Sequence, residues 1–277
     1  MIFLNKENKI FTYGEKLMVF SREASICPDL CDSQAILGCF YNPRIYLFYT
    51  ISLKKIKVWN LFNGKLFKVY EEFISNSLIE ITSFCTDRMI NKLYIGDNFG
   101  NIICMNLNYG NILKEFSSHK SEIINLCHST NDNLLISLSN DNVIKIHKEK
   151  EYDDNSVIKE FSLENVDITT INLSDEYSKL ILGTKQGEIK YYDIVHLKQD
   201  SSLRNSDYKK IYKNDSITSI FIFDDYPICL TSHESCKNIF EIIPPHPYKF
   251  SFFGEFFNEY KKIGSNEIIK TKLYHLQ

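Results

Sequence analysis

Seven histidines, eight cysteines and 35 aspartates and glutamates give the chain material for several kinds of chemistry, and their spacing decides which it can perform. A zinc site needs about four ligands, normally in two closely spaced pairs. Cys27 and Cys31 make one C-x-x-x-C beside Pro28 with no second pair, so free thiols are expected there. Cys39, Cys85, Cys104, Cys127 and Cys229 fall inside apolar runs, where a thiol behaves as a small buried hydrophobe. His119 reads as a loop histidine, and His128 and His147 sit at strand ends at unrelated depths, an arrangement that does not converge on a metal. No H-E-x-x-H and no G-x-S-x-G occurs. Gly96, Gly100 and Gly110 are too far apart for a phosphate loop. Asp153-Asp154 and Asp224-Asp225 look like paired acids, but aspartates in turns serve as turn formers, and Asp87, Asp132 and Asp175 occupy similar turns. No catalytic set, metal site, cofactor or small-molecule substrate is expected.

Binding chemistry is better represented. The formal net charge is −3, which gives no overall pull toward nucleic acid or anionic membrane, so nucleic acid is not the expected partner. Lys145, Lys148 and Lys150 alternate along one strand, and Lys209, Lys210 and Lys213 lie in a polar segment, residues 201–214, expected to protrude as a loop. Such lysines protect edges or face solvent; the sharper reading is a docking patch for an acidic partner such as tubulin or nucleic acid. Near the end, Tyr248, Phe250, Phe252, Phe253, Phe256, Phe257 and Tyr260 crowd together. Phe250 and Phe252 suit an outer strand, whereas Phe256, Phe257 and Tyr260 have the spacing of a short amphipathic helix that caps the domain or docks on a neighbour. Pro244-Pro245-His246-Pro247-Tyr248 reads as a stiff bend between strands rather than a proline-rich ligand.

The elements that position these residues are strands. Ile45–Thr50, Leu134–Ser137 and Ile217–Ile222 are short, β-branched or aromatic, and bounded by Asn, Asp, Pro, Gly or Ser. Before residue 250 no sustained 3.6-residue apolar period appears. The strands repeat. A strand ending in a large residue, then a turn and another strand, recurs with that large residue at Phe20, Trp59, Met105, His147, Tyr192 and Phe240, at steps of 39, 46, 42, 45 and 48. Five residues ahead of three of these anchors stand Gly100, Asn142 and Gly187, as a hairpin turn with positive φ requires. A second marker keeps the same phase: Glu80–Phe84, Glu122–Leu126, Asp167–Ile171 and Ser216–Ile220 each read polar, Ile, Thr or Ile, small or polar, apolar. A period near 40–45 residues with four strands per unit is that of a propeller blade.

Trp59-Asn60, Met105-Asn106 and Tyr192-Asp193 stand where the WD-repeat family carries its Trp-Asp dipeptide, and the chain resembles that family over roughly residues 1–250, each copy being degenerate. The resemblance implies a structural tetrad in the unit at 119–163, with His119 as loop histidine, Ser137 as hydroxyl and Asp141 as carboxylate. His147 takes the place of the tryptophan. Elsewhere the carboxylate position holds Leu53, Phe99, Gln186 and Glu234. Glu80–Phe84 followed by Lys92–Gly96, and Pro244–Phe250 after a blade, are also similar to the large axonemal WD-repeat proteins of cilia and flagella.

The expected fold is therefore all-β, a β-propeller of about six four-stranded blades, with the first blade incomplete and its inner strand missing or cut to Ile2-Phe3-Leu4. Either strands from both ends close a six-bladed ring, or the chain is part of a seven-bladed or larger propeller. Blades are expected near 1–24, 34–73, 78–117, 119–163, 166–213 and 215–254, with residues 255–277 as a tail. Charges interrupt the N-terminal apolar run after four residues and nothing resembles a membrane span, so an intracellular, cytoplasmic location is expected, cytoskeletal or ciliary if the second similarity holds. The expected role is a non-catalytic scaffold that binds other proteins. The contacts offered for partners are Lys209, Lys210, Lys213, Phe256, Phe257 and Tyr260. The alternatives are an enzyme using the central channel, or a nucleic-acid or membrane-associated propeller using a Lys-rich face.

Overall fold

The structure, a computed structural model, describes residues 2–4, 9–12, 18–21, 35–61, 65–71, 77–149, 157–162, 166–176, 178–194, 208–211, 215–223, 228–235 and 238–242. They form 22 strands in six antiparallel sheets. The first sheet holds β1 (Ile2–Leu4), β2 (Lys9–Thr12) and β3 (Met18–Ser21). The second runs β4 (Gly38–Asn42), β5 (Leu47–Ile51), β6 (Ile56–Asn60) and β7 (Leu66–Tyr70). The third runs β8 (Ile81–Thr86), β9 (Lys92–Asp97), β10 (Ile102–Asn106) and β11 (Ile112–Phe116). The fourth comprises β12 (Ile123–Ser129), β13 (Leu134–Ser139), β14 (Val143–Lys148) and β15 (Val157–Ser162). The fifth comprises β16 (Ile168–Ser174), β17 (Lys179–Thr184), β18 (Glu188–Asp193) and β19 (Tyr208–Ile211), and the sixth β20 (Ile217–Phe223), β21 (Ile228–His233) and β22 (Asn238–Ile242).

Each sheet is a meander whose strands pair in chain order, and the second to sixth sheets stack face to face. Every position of β13 and β17 is buried, which a two-faced strand achieves only when another sheet covers each face. The apolar clusters lie between consecutive sheets. One joins Tyr49, Ile56 and Tyr70 to Ile81, Leu93 and Met105; the next joins Cys104 and Phe116 to Ile123 and Leu135. A third joins Ile146 and Phe161 to Ile168 and Leu182, and a fourth joins Tyr191 to Ile217 and Cys229. This is propeller packing, with the first strand of each sheet innermost.

The inner strands are linked directly. Each of β8, β12, β16 and β20 carries a bulge after its first residue. In β8 the bulge residue is Thr82, whose hydroxyl lies 2.6 Å from the Ile123 carbonyl of the next sheet; in β16 Thr169 stands 2.5 Å from the Ile217 carbonyl. Two amides add to this, Asn125 Nδ2 donating to Thr170 Oγ1 at 3.1 Å and Asn172 Nδ2 to the Ile220 carbonyl at 2.7 Å. Glycine lets the sheets close up. A Cβ on Gly96 would meet Ile123 Cβ at 2.6 Å, and one on Gly183 would meet Ile217 Cγ2 at 2.7 Å. The hairpin positions Gly100, Asn142 and Gly187 have φ of 87°, 62° and 79°, the left-handed values read from their sequence spacing.

Three details sharpen or correct the sequence reading. In the first sheet Ile2–Leu4 pairs with Lys9–Phe11. Residues 201–214 are not a loop throughout: Tyr208–Ile211 pairs with β18, setting Lys209 opposite Lys190 and Lys210 opposite Ile189, so both lysines sit on an outer edge strand. Tyr208 and Ile211 supply the strand-forming side chains that the lysines between them obscured. In the sixth sheet Cys229 faces Glu241, as Leu135 faces His147 in the fourth. The anchor position there is Glu241, not Phe240, because the repeat step at this point is one residue longer than an apolar match suggests. The equivalent of Asp141 likewise becomes Ser235, since Glu234 N–H bonds the Ser216 carbonyl as Asn140 N–H bonds that of Glu122.

Candidate interaction site and repeat positions

The residues with the most reactive chemistry are sealed inside. His119 Nε2 lies 2.7 Å from Ser137 Oγ, which lies 3.0 Å from His147 Nε2, and all three side chains are buried. Burial, reinforced by Lys145, lowers the His119 pKa to about 4; burial, His119 and Lys145 together lower that of His147 to about 3. Both rings are neutral at pH 7, and each Nε2 shares a hydrogen bond with the Ser137 hydroxyl. A serine between two histidines could serve nucleophilic catalysis. Here the hydroxyl is fully buried, and its effect is to tie the loop before β12 to β13 and β14. Asp141 is not part of this chain: it is exposed, its Oδ1 accepts the Val143 N–H at 3.1 Å, and His119 Nδ1 has no hydrogen-bond partner.

The other repeat positions divide by function. Trp59 Nε1 donates to Thr50 Oγ1 at 3.0 Å, and Thr50 occupies in β5 the place of Ser137 in β13. Met105 packs in the cluster that contains Tyr70, Tyr192 lies 6.3 Å from Phe161 between ring centroids, and His147 meets Phe116 edge-on at 5.4 Å. Met105, His147 and Tyr192 thus each pack with the aromatic near the end of the preceding sheet's outer strand. Tyr70, Phe116 and Phe161 recur at steps of 46 and 45 and form a third repeat marker, readable from the sequence but hidden among many aromatics. Asn60 receives a turn bond, its N–H donating to the Lys65 carbonyl, and Asn106 Oδ1 accepts the N–H of Asn108 and Tyr109. Asp193 instead pairs with Lys179, whose Nζ lies 3.4 Å from Asp193 Oδ2 with both side chains buried. Lys213, Phe256, Phe257 and Tyr260, like Cys27, Cys31, Asp153, Asp154, Asp224 and Asp225, lie outside the described residues.

A second polar knot lies between the third and fourth sheets. Glu149 accepts from Lys92 and sits 3.1 Å from His128 Nε2, and Tyr94 stacks on the His128 ring. The bond to His128, with that to Lys92 behind it, holds the Glu149 carboxyl well below the usual carboxylate range against the opposing effect of burial. Among the described residues no group of three or more His, Cys, Asp or Glu side chains is placed to hold a metal, and no helix is long and apolar enough to cross a membrane.

The surface is uneven. Among the described residues fourteen large hydrophobics are exposed, and thirteen of them lie between Leu37 and Leu113, on the second and third sheets; the fourth and fifth expose none. Charge follows the same division. Residues 35–116 carry nine Lys and Arg against six Asp and Glu, and residues 117–194 carry eight against fourteen. Arg, Met and aromatic side chains on an apolar ground are the composition of binding surfaces.

No protein-family model matches the chain. It is similar to cilia- and flagella-associated protein 337 B of Tetrahymena thermophila, at 26% identity over 257 residues. That alignment takes in 93% of this chain and 20% of the relative, so the chain spans one fifth of that protein's length. Among solved structures, a chain of the crystal structure of mitotic checkpoint complex superposes with a TM-score of 0.60 over 75% of this chain and 65% of the other, at 13% identity, a likeness of fold. The chain is an all-β propeller with a cilia-associated relative.

Proposed function

We propose that the chain is a non-catalytic protein-interaction scaffold of a ciliary or flagellar assembly, built from degenerate WD-type repeats. The observation that carries this reading is the concentration of exposed apolar side chains on the second and third sheets, set beside histidines and serine that are buried as fold-holding links. Apolar side chains gathered on one part of a surface are a mark of interaction sites. The ciliary assignment rests on the Tetrahymena relative. The repeat units near 34–73, 78–117, 119–163 and 166–213 are the proposed blades, with Trp59, Asn60, Met105, Asn106, His119, Ser137, Tyr192 and Asp193 as their structural positions. Epitope tagging at the native locus, followed by salt extraction of axonemes and sedimentation, tests the reading. A tagged chain that leaves the axoneme in a complex larger than itself is expected; one that stays in the cell body and sediments alone overturns it.

A further inference from the structure

At one end of the stacked sheets, the turns between first and second strands of neighbouring blades lie side by side. In the second sheet this turn is Pro43-Arg44-Ile45-Tyr46, and in the third Asp87-Arg88-Met89-Ile90-Asn91. The two are tied together: Asn42 Nδ2 donates to the Ile90 carbonyl at 3.1 Å, and Arg44 Nη2 lies 2.9 Å from Met89 Sδ. Arg44, Ile45, Tyr46, Arg88 and Met89 are all exposed. Two of the chain's four arginines therefore stand here, among three exposed apolar side chains.

The equivalent turns of the next sheets are different. They read Thr130-Asn131-Asp132-Asn133 in the fourth and Asp175-Glu176-Tyr177-Ser178 in the fifth, acidic or polar with no arginine. Each of the four turns holds one left-handed residue, at the same position in the second, fourth and fifth sheets, Tyr46 (φ 55°), Asn133 (51°) and Ser178 (50°), and one residue earlier in the third, Ile90 (54°). Asparagine tolerates that conformation, whereas tyrosine and isoleucine are rare in it and strained. The fourth and fifth sheets fill it with small polar residues. The second sheet keeps an exposed tyrosine there at a local cost.

We propose that this pair of turns is a docking site for an acidic protein segment bearing an apolar anchor, a reading that rests on the scaffold role. Arg44 and Arg88 present planar guanidinium forks suited to carboxylates, and Ile45, Tyr46 and Met89 form the apolar floor beside them. A bilayer or a nucleic acid laid across this end would also meet Asp132, Asp175 and Glu176, which repel anionic surfaces. A short segment confined to two turns avoids them.

The test uses the full chain and a fluorescein-labelled synthetic peptide alternating glutamate with leucine and phenylalanine, read by anisotropy. Binding is expected to weaken about tenfold or more in Arg44→Glu/Arg88→Glu, and to fade with added salt. Tyr46→Asn, which installs the residue the fourth sheet carries, is expected to bind several-fold more weakly while its thermal midpoint holds or rises, so that lost binding cannot come from lost folding. Equal affinity for a lysine counterpart of the peptide, or unchanged affinity in either variant, overturns the proposal. So does binding of phosphatidylserine vesicles in preference to the peptide, or a chain dimer that Arg44→Glu/Arg88→Glu dissolves. The scaffold reading fails if the tagged chain sediments alone; this one fails if the complex exists and the double arginine variant leaves it intact.

Discussion

Single side chains in this protein act mainly through what they would lose if charged or unpaired. His119 and His147 are held neutral in the folded state, whereas a histidine in the unfolded chain titrates near pH 6.5. Their folded pKa values lie below the unfolded one, so the native state has its full stability above about pH 6.5 and loses it as pH falls from there toward 4. The loss should be on the order of 3–6 kcal/mol across that interval, seen as a falling thermal midpoint. Glu149 adds a loss at lower pH: its depressed pKa stabilises the fold above the usual carboxylate range and ceases to do so as acid protonates it. His147→Trp places there the residue that in the second sheet bonds Thr50, and should flatten the pH 6.5 to 4 decline; an unchanged decline would assign the acid sensitivity elsewhere. Lys179 and Asp193 form a buried pair. Lys179→Met should cost about 3–5 kcal/mol by taking the cation from the buried carboxylate, and Lys179→Met/Asp193→Leu less than that single change. Urea unfolding of the parent, Lys179→Met, Asp193→Leu and the double variant decides it, and additive costs would mean that the pair is not coupled.

At the scale of strands, the bulged inner strand joins one blade to the next. Thr169 reaches the Ile217 carbonyl of the sixth sheet, while Thr218 at the same place in β20 is exposed and bonds only the Ser232 carbonyl of its own sheet among the described bonds. Thr169→Val keeps the shape and removes the hydroxyl, and should cost about 1–3 kcal/mol, with Thr218→Val well below that. Equal costs from chemical denaturation would remove the inter-sheet bond from the explanation. Gly183→Val drives a Cβ into Ile217 and Thr170, and should destabilise by about 1–3 kcal/mol. The strands themselves were readable because alternation and turn residues are local: Leu134–Ser137 and Ile217–Ile222 fall within β13 and β20, whereas of Ile45–Thr50 the first two residues belong to the turn before β5, with Tyr46 left-handed. Tyr208–Ile211 was missed because two lysines in four residues resemble a loop until β18 supplies a partner.

At the scale of the molecule, exposed apolar side chains and charge are unevenly divided among the described residues. The second and third sheets carry the exposed hydrophobics and a basic excess; the fourth and fifth carry an acidic excess and bury their apolar side chains. Stability should be ordered in the radial direction. Amide exchange is expected to be slowest in β13 and β17, covered on both faces, and fastest in β7, β11 and β15, where most positions are open or half-buried. Uniform protection across each sheet would contradict that ordering.

The sequence by itself determined the strand class, the repeat period and the left-handed turn positions, because each depends on a few neighbouring residues and recurs in phase. It also showed that no familiar catalytic motif was present. Only the tertiary structure decided that His119, Ser137 and His147 form one chain while Asp141 stands apart, that Lys179 meets Asp193, and that two arginine-bearing turns meet beside Met89. Those pairings join residues ten to 45 positions apart, and their geometry follows from how sheets stack and which side chains burial forces together, not from local pattern.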